Sequence, residues 1–210
     1  MKLRNTHKNR PPANWTEYQG LPEGERWEII HGEAYDMSPS PMRRHQRAVV
    51  ELSRQIGNHF KGQKCEAYVA PLDVKLDDVC VVQPDVFVVC DKRICHDTHI
   101  NGAPDLIIEV LSPTSIHRDR FIKFGLYAQK GVSEYWIVDP DAQRVEVFVH
   151  HRGTYRLACA YEKNETARSV KFKALKVALS DVFDVSDESG GKLRLIKEPK
   201  SRYRTAAVLR

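Results

Sequence analysis

Apolar residues recur along this chain in two rhythms, and the switches between them mark its elements. Val49, Leu52, Ile56 and Phe60 fall at helical spacing and predict a helix from His45 to Phe60, with His45 on the same stripe. Glu51 points away from that stripe and is expected to pair with Arg47 as a solvated charge. Leu72, Val74 and Leu76 alternate with polar residues as in a half-buried strand, Asp77-Asp78 predicts a turn, and Val79 to Val82 follows. Trp27-Glu28-Ile29-Ile30 and Ala34-Tyr35-Asp36-Met37 flank His31-Gly32-Glu33 and predict a hairpin, which Ser38-Pro39-Ser40-Pro41 separates from the helix. Val86-Phe87-Val88-Val89 and Tyr135-Trp136-Ile137-Val138 are apolar throughout, the pattern of strands covered on both faces. A loop runs from about Asp91 to Ala103. Ser112-Pro113-Thr114-Ser115 opens a helix from about Arg118 to Lys130, capped at Gly131. Arg144 to Val149 and Tyr155 to Ala160 predict a second hairpin turning at Arg152-Gly153, and Val177, Leu179, Val182 and Phe183 a last docking segment.

One strand breaks its own rule. Leu106-Ile107-Ile108-Glu109-Val110-Leu111 carries a carboxylate inside a run that should be purely apolar. An ionised carboxylate there is costly unless it is paired or binds a cation. Asp85, after Gln83-Pro84, opens the apolar strand upstream, and two acidic groups from neighbouring strands can converge on one hard divalent cation. The bland alternative is a buried glutamate satisfied by Arg, Lys or backbone groups. On the helix that follows, Asp119, Lys123 and Tyr127 share one stripe, with Phe121, Phe124 and Ala128 on the opposing face. That stripe is either a solvated polar face or, because the strand feeds straight into the helix, part of a site beside Glu109. Two carboxylates and a lysine suit metal-assisted phosphodiester hydrolysis, the metal polarising a phosphoryl oxygen and acidifying a water, the ammonium stabilising developing charge.

Composition adds little that contradicts this. The chain has 210 residues, 41% hydrophobic and 29% charged, as an ordinary globular protein of one domain with extensions does. The formal net charge of +5 permits a polyanionic partner without demonstrating one. Residues 1–14 read as a loose basic arm, 15–185 as a single domain, and 186–210 as a basic tail. Met1-Lys2-Leu3-Arg4 opens no apolar signal segment and no run approaches a membrane span, so a cytoplasmic location with free thiols is expected. Cys65, Cys80, Cys90, Cys95 and Cys159 show no paired framework, and Cys90, Cys95 and His96 match no common zinc spacing.

These residues carry a resemblance. Pro84-Asp85 followed by Glu109-Val110-Leu111 is similar to the PD-(D/E)XK nuclease pattern, with Leu111 in the usual place of the lysine and Lys123 resembling the migrated lysine of divergent branches. More narrowly the chain resembles the Uma-type putative restriction endonuclease family. The matching stretches include Trp27-Glu28-Ile29-Ile30-His31-Gly32-Glu33, Met37-Ser38-Pro39, His45, Ala103-Pro104-Asp105 through Pro113, Arg118-Asp119-Arg120 with Lys123 and Tyr127, and Gly131 through Pro140. The resemblance implies an α/β (α+β) fold with a restriction-endonuclease-like core, a mixed central sheet flanked by helices, with added N-terminal and C-terminal β-hairpins. It implies a magnesium-dependent (or manganese-dependent) deoxyribonuclease with Asp85 and Glu109 as metal ligands and Lys123 as the catalytic lysine. The Val110 carbonyl is expected as a third ligand. Asp105 is set aside because it lies about 13 Å from Glu109 along the same strand. Glu33 and His45 are second-tier candidates, His45 either in a neutral water-positioning role, since the helix N-terminus disfavours imidazolium, or as a capped surface histidine. DNA is the expected partner, a homodimer the expected assembly, and membrane association is not expected. Two rivals stand beside this reading: a catalytically silent DNA-binding or scaffold protein with a nuclease-like fold, and a hydrolase of small phosphoesters, for which no glycine-rich phosphate loop is visible.

Overall fold

The computed structural model describes residues 11–22, 24–37 and 42–183. The expectations for most of the N-terminal arm, for Ser38-Pro39-Ser40-Pro41 and for the basic tail fall outside those residues.

A helix α1 (Trp15–Gln19) leads into the predicted hairpin, β1 (Trp27–Ile30) and β2 (Glu33–Asp36). Its two-residue turn has His31 and Gly32 both at positive φ, the geometry whose twist matches paired strands. The long helix α2 (Arg43–Phe60) follows, burying Ala48, Val49, Leu52, Ile56 and Phe60 along the predicted stripe. Next come β3 (Glu66–Val69), β4 (Asp73–Asp77), β5 (Cys80–Val82), β6 (Val86–Val89), β7 (His99–Asn101) and β8 (Leu106–Val110). After β8 the chain enters a π-helical turn, Arg118–Lys123, continuous with α3 (Phe124–Gln129). Then β9 (Glu134–Asp139) and the hairpin β10 (Arg144–His151) and β11 (Thr154–Glu162) complete the main sheet. Short strands β12 (Thr166–Arg168) and β13 (Lys176–Ala178) pair with each other before α4 (Leu179–Phe183).

The main sheet has the order β11-β10-β9-β8-β6-β3 and is mixed, β8 running parallel to β9 and antiparallel to β6. A second sheet has the order β2-β1-β5-β4-β7. Alternation along β8 builds two cores. Leu106, Ile108 and Val110 pack with α2 and α4 on one face, while Ile107 and Leu111 pack with α3 and the second sheet on the other. Both faces of β8 are covered, which is why its sequence is apolar on both sides of Glu109.

Three local expectations change. Cys65 and Cys90 form a disulfide, against the expectation of free thiols, because the antiparallel register of β3 and β6 pairs Glu66 with Val89 and so brings the flanking cysteines opposite each other. Cys80, Cys95 and Cys159 are free. Glu51 pairs with Arg54 at 2.8 Å rather than with Arg47. Phe121, placed on an apolar face by its spacing, is 67% exposed, and the polar stripe of the same helix is the buried one. Glu134 shows what a buried carboxylate does when its role is structural: it accepts hydrogen bonds from the Trp136 indole, the Ser169 hydroxyl and the Val170 and Lys171 N–H groups, tying residues 169–171 to the sheet.

Candidate active site

The site grows from one strand register. β6 and β8 pair antiparallel with Val86 opposite Ile108, so Asp85, one residue before β6, stands across from Glu109. The contacts agree. The Asp85 N–H donates to Glu109 Oε2 at 3.4 Å, and the Val110 N–H donates to Asp85 Oδ2 at 2.8 Å. Each carboxylate is thus tied to the other residue's strand, and Glu109 lies on the face of the sheet that carries α3.

Lys123 meets Glu109 from that side. Its Nζ lies 2.9 Å from Glu109 Oε1, 2.7 Å from Glu28 Oε1 and 3.6 Å from Asp119 Oδ1. The Tyr127 hydroxyl donates to Glu109 Oε1 at 2.7 Å. The π-helical turn brings Asp119 and Lys123, four residues apart, onto the same buried side; such turns recur at functional sites. The solvated-stripe alternative is excluded, since Lys123 is 3% exposed and Asp119 2%.

Glu28 is the member that sequence reasoning missed. Its carboxylate is fully buried, accepts the Gln83 N–H at 3.1 Å through Oε1, and has Arg118 at 3.6 Å from Oε2. Oε2 nevertheless has no hydrogen-bond partner among the described residues. The signal was present in Trp27-Glu28-Ile29-Ile30, a carboxylate in a strand apolar on both sides, the same anomaly that singled out Glu109. Glu33 lies apart on β2, exposed, with Oε2 accepting from the Tyr35 hydroxyl. Lys130 is ion-paired to Asp77, and Asp105 to Lys171 at 2.6 Å, so neither belongs to the cluster.

Three carboxylates around one lysine, with Asp85 beside Glu109, set the electrostatics. Burial pushes the Glu109 carboxyl well above the ordinary range; Lys123 opposes this, and Asp119, Asp85 and Glu28 add to it. Burial likewise raises Asp119 against the pull of Lys123. For Lys123, burial disfavours the ammonium, but Glu109, Glu28 and Asp119 outweigh it and its pKa is raised. The neighbouring carboxylates thus favour the ammonium form of Lys123, a source of charge and hydrogen bonds. His45 Nε2 lies 3.2 Å from Asp85 Oδ2. Burial disfavours its imidazolium, yet the hydrogen bond and charge of Asp85 prevail and its pKa is raised. That direction is opposite to the one the helix N-terminus alone would give.

These groups line a cleft of about 990 Å³ between α2, β1, β2 and the π-helical turn, with Arg118 and Tyr35 on its wall. The donor chemistry suits a hard cation: carboxylate oxygens in excess over cationic groups, and an orphaned buried oxygen on Glu28. Among the described residues no three His, Cys, Asp or Glu side chains are grouped to chelate an ion by themselves. Magnesium, which keeps several waters, needs only one or two carboxylates.

Comparison with known proteins places this cleft in a family. The model of Uma2, described as putative restriction endonuclease, matches residues 15–180. The chain belongs to the Uma2 family. An uncharacterized protein of Synechocystis sp. is 33% identical over 142 residues, 66% of this chain and 70% of that relative. A solved structure described as a putative nuclease belonging to DUF820, from Anabaena variabilis, superposes with a TM-score of 0.66 at 25% identity, covering 82% of this chain and 98% of the other. The Uma2 match spans β1, where Glu28 sits, through β13, and so includes every residue of the cluster. The nuclease-like fold expected from the resemblance is the fold observed. Among the described residues no helix is long and apolar enough to cross a membrane.

Proposed function

We propose that this chain is a divalent-metal-dependent endonuclease that hydrolyses phosphodiester bonds of DNA. The observation that carries the reading is the placement of Asp85 directly opposite Glu109, with the Lys123 ammonium buried against the Glu109 carboxylate. Asp85 and Glu109 would hold magnesium or manganese, with the Val110 carbonyl as a further ligand and waters completing the shell. Bound there, the cation supplies Lewis-acid polarisation of a phosphoryl oxygen and a more acidic water. His45 fixes Asp85 by contact with Oδ2, and the Val110 N–H holds the same oxygen. Tyr127 and Lys123 fix Glu109, and Lys123 supplies positive charge to the cleft wall where a phosphoryl group would gain negative charge.

Calorimetric titration with manganese tests the metal site. Wild type is expected to bind the ion, and Asp85→Ala to bind at least about tenfold more weakly, since a lost carboxylate ligand is worth more than about 1.4 kcal/mol, the equivalent of one decade. Equal affinity would remove Asp85 from the site. A single cleft cuts one strand, so cutting both calls for a homodimer whose two-fold axis matches that of the duplex. Light scattering should give twice the mass of the chain at working concentration; a monomer there would remove the dimer from the proposal.

A further inference from the structure

A second cavity, of about 500 Å³, lies behind the cleft, on the other side of α2. Arg43, Arg44 and Arg47 enter it from the first turns of the helix, and Lys163 enters from the turn after β11. The turn between β9 and β10 contributes Asp141 and Gln143. Asp141 is the single carboxylate in this lining, and Arg44 occupies it at 2.7 Å. Arg43, Arg47 and Lys163 have no ion-pair partner among the described residues. Their arrangement is electrostatically unfavourable in the protein alone. Arg43 and Arg47 stand four residues apart, where like charges repel. Arg43 and Arg44 sit at the positive end of a helix dipole, in a first turn without an acidic residue, and Arg47 follows in the next turn. Two separate elements, α2 and the turn after β11, therefore deliver unneutralised cations into one concavity, and an anion is the group that would relieve them.

We infer that this cavity binds the phosphate backbone of the nucleic acid whose scissile bond lies in the Asp85–Glu109 cleft. The inference rests on the nuclease reading and adds to it the surface that holds the strand. The two pockets share one helix. Arg44 and His45 are adjacent in sequence, yet their side chains leave α2 toward different pockets. A helix with its side chains is about 10–12 Å across, and phosphates of one strand advance about 3.4 Å along the duplex axis per nucleotide. A strand crossing the first turns of α2 would thus span on the order of three nucleotides between the two pockets. Guanidinium forks suit phosphate oxygens, which they can bind in pairs. An acidic cleft repels a polyanion by itself, and a basic surface on the same helix supplies the attraction that the cleft lacks.

The test is binding without cleavage. Labelled duplex DNA is titrated with wild type and with the triple variant Arg43→Gln, Arg47→Gln and Lys163→Gln, in EDTA, across a range of salt. Each phosphate contact contributes about 0.9 to the slope of log affinity against log salt. The variant is expected to lose between two and three from that slope and at least about tenfold in affinity near physiological salt. The exposed pair residue Arg93 supplies the control, its Arg93→Gln variant keeping the wild-type slope. Thermal unfolding checks that the triple variant is folded; if it is not, Arg47→Gln alone should lower the slope by about one. An unchanged slope in the folded variant would overturn the inference. So would tight binding of inorganic phosphate alone to wild type, which would mark a small-anion site instead of a strand-holding one. Because binding is read without metal, a chain that binds DNA through these cations in EDTA but cuts nothing once magnesium is added would keep this inference and lose the nuclease reading. A chain whose variant binds unchanged while wild type still cuts would do the reverse.

Discussion

Replacing Lys123 with alanine should lower plasmid cleavage by about a hundred- to a thousand-fold, the usual consequence of losing one positioned charge donor worth about 3–4 kcal/mol in the transition state. The structure adds a second effect that spacing alone does not suggest. Lys123 Nζ is the cation closest to three buried carboxylates, those of Glu28, Glu109 and Asp119. Removing one partner of a buried ionic cluster leaves charges uncompensated and costs about 3–5 kcal/mol of folding stability. Lys123→Ala should therefore melt well below wild type in EDTA. Magnesium should recover part of the loss, since a cation among the carboxylates replaces the missing charge. Lys123→Arg should rescue cleavage poorly, because a planar guanidinium does not fit the space of a compact ammonium held at 2.7 and 2.9 Å by two carboxylates. Melting curves with and without magnesium, read beside nicking rates at a temperature where the variant is folded, separate the two effects. Wild-type cleavage by folded Lys123→Ala would take the lysine out of the chemistry.

The parts of this site that were legible in the sequence are those where one residue violates its own pattern. Glu109 stands out because Ile107, Ile108, Val110 and Leu111 leave no exposed face for it, and the structure buries it to 2% exposure. The α2 stripe was legible for the converse reason, every apolar position at helical spacing being buried. What stayed hidden depends on pairing between distant segments. β3 is four residues long with no fully buried position, so alternation hardly marks it. The Cys65–Cys90 bond follows only once β3 is placed beside β6. The convergence of Asp85 and Glu109 was expected from their two apolar strands, but the register that sets them opposite each other is written in neither strand alone. The π-helical turn has no composition of its own, so an ordinary helix was the natural reading.

Glu28 and Glu134 set the limit of the anomaly argument. Both are fully buried carboxylates beside apolar strand residues, and nothing local distinguishes them. Glu28 reaches Lys123 and the cleft, whereas Glu134 spends one oxygen on the Trp136 indole and the other on residues 169–171 of its own fold. A carboxylate in a greasy strand therefore says that a partner exists. Only the neighbouring strands say whether the partner is a backbone turn or a catalytic cluster.

Glu109 is where the account is most exposed, and the Glu109→Gln variant isolates its charge from its shape. The amide oxygen can still accept the Tyr127 hydroxyl, so the hydrogen bond at 2.7 Å is kept. Lys123 keeps Glu28 and Asp119 as counter-charges. Burial raises the Glu109 pKa, so the ionised form costs folding stability as pH rises above the unfolded carboxylate value, and the amide removes that cost. At pH 8 in EDTA the variant should therefore melt no lower than wild type. Its cleavage should be lost by about a thousand-fold or more, the equivalent of about 4 kcal/mol of transition-state stabilisation. The decisive measurement is nicking of supercoiled plasmid across a magnesium titration, wild type beside Glu109→Gln. The account predicts that wild type nicks in proportion to bound metal and stops in EDTA, while the folded variant leaves the plasmid intact at every concentration. Equal nicking by the two proteins at saturating magnesium, or wild-type nicking that persists in EDTA, would contradict it.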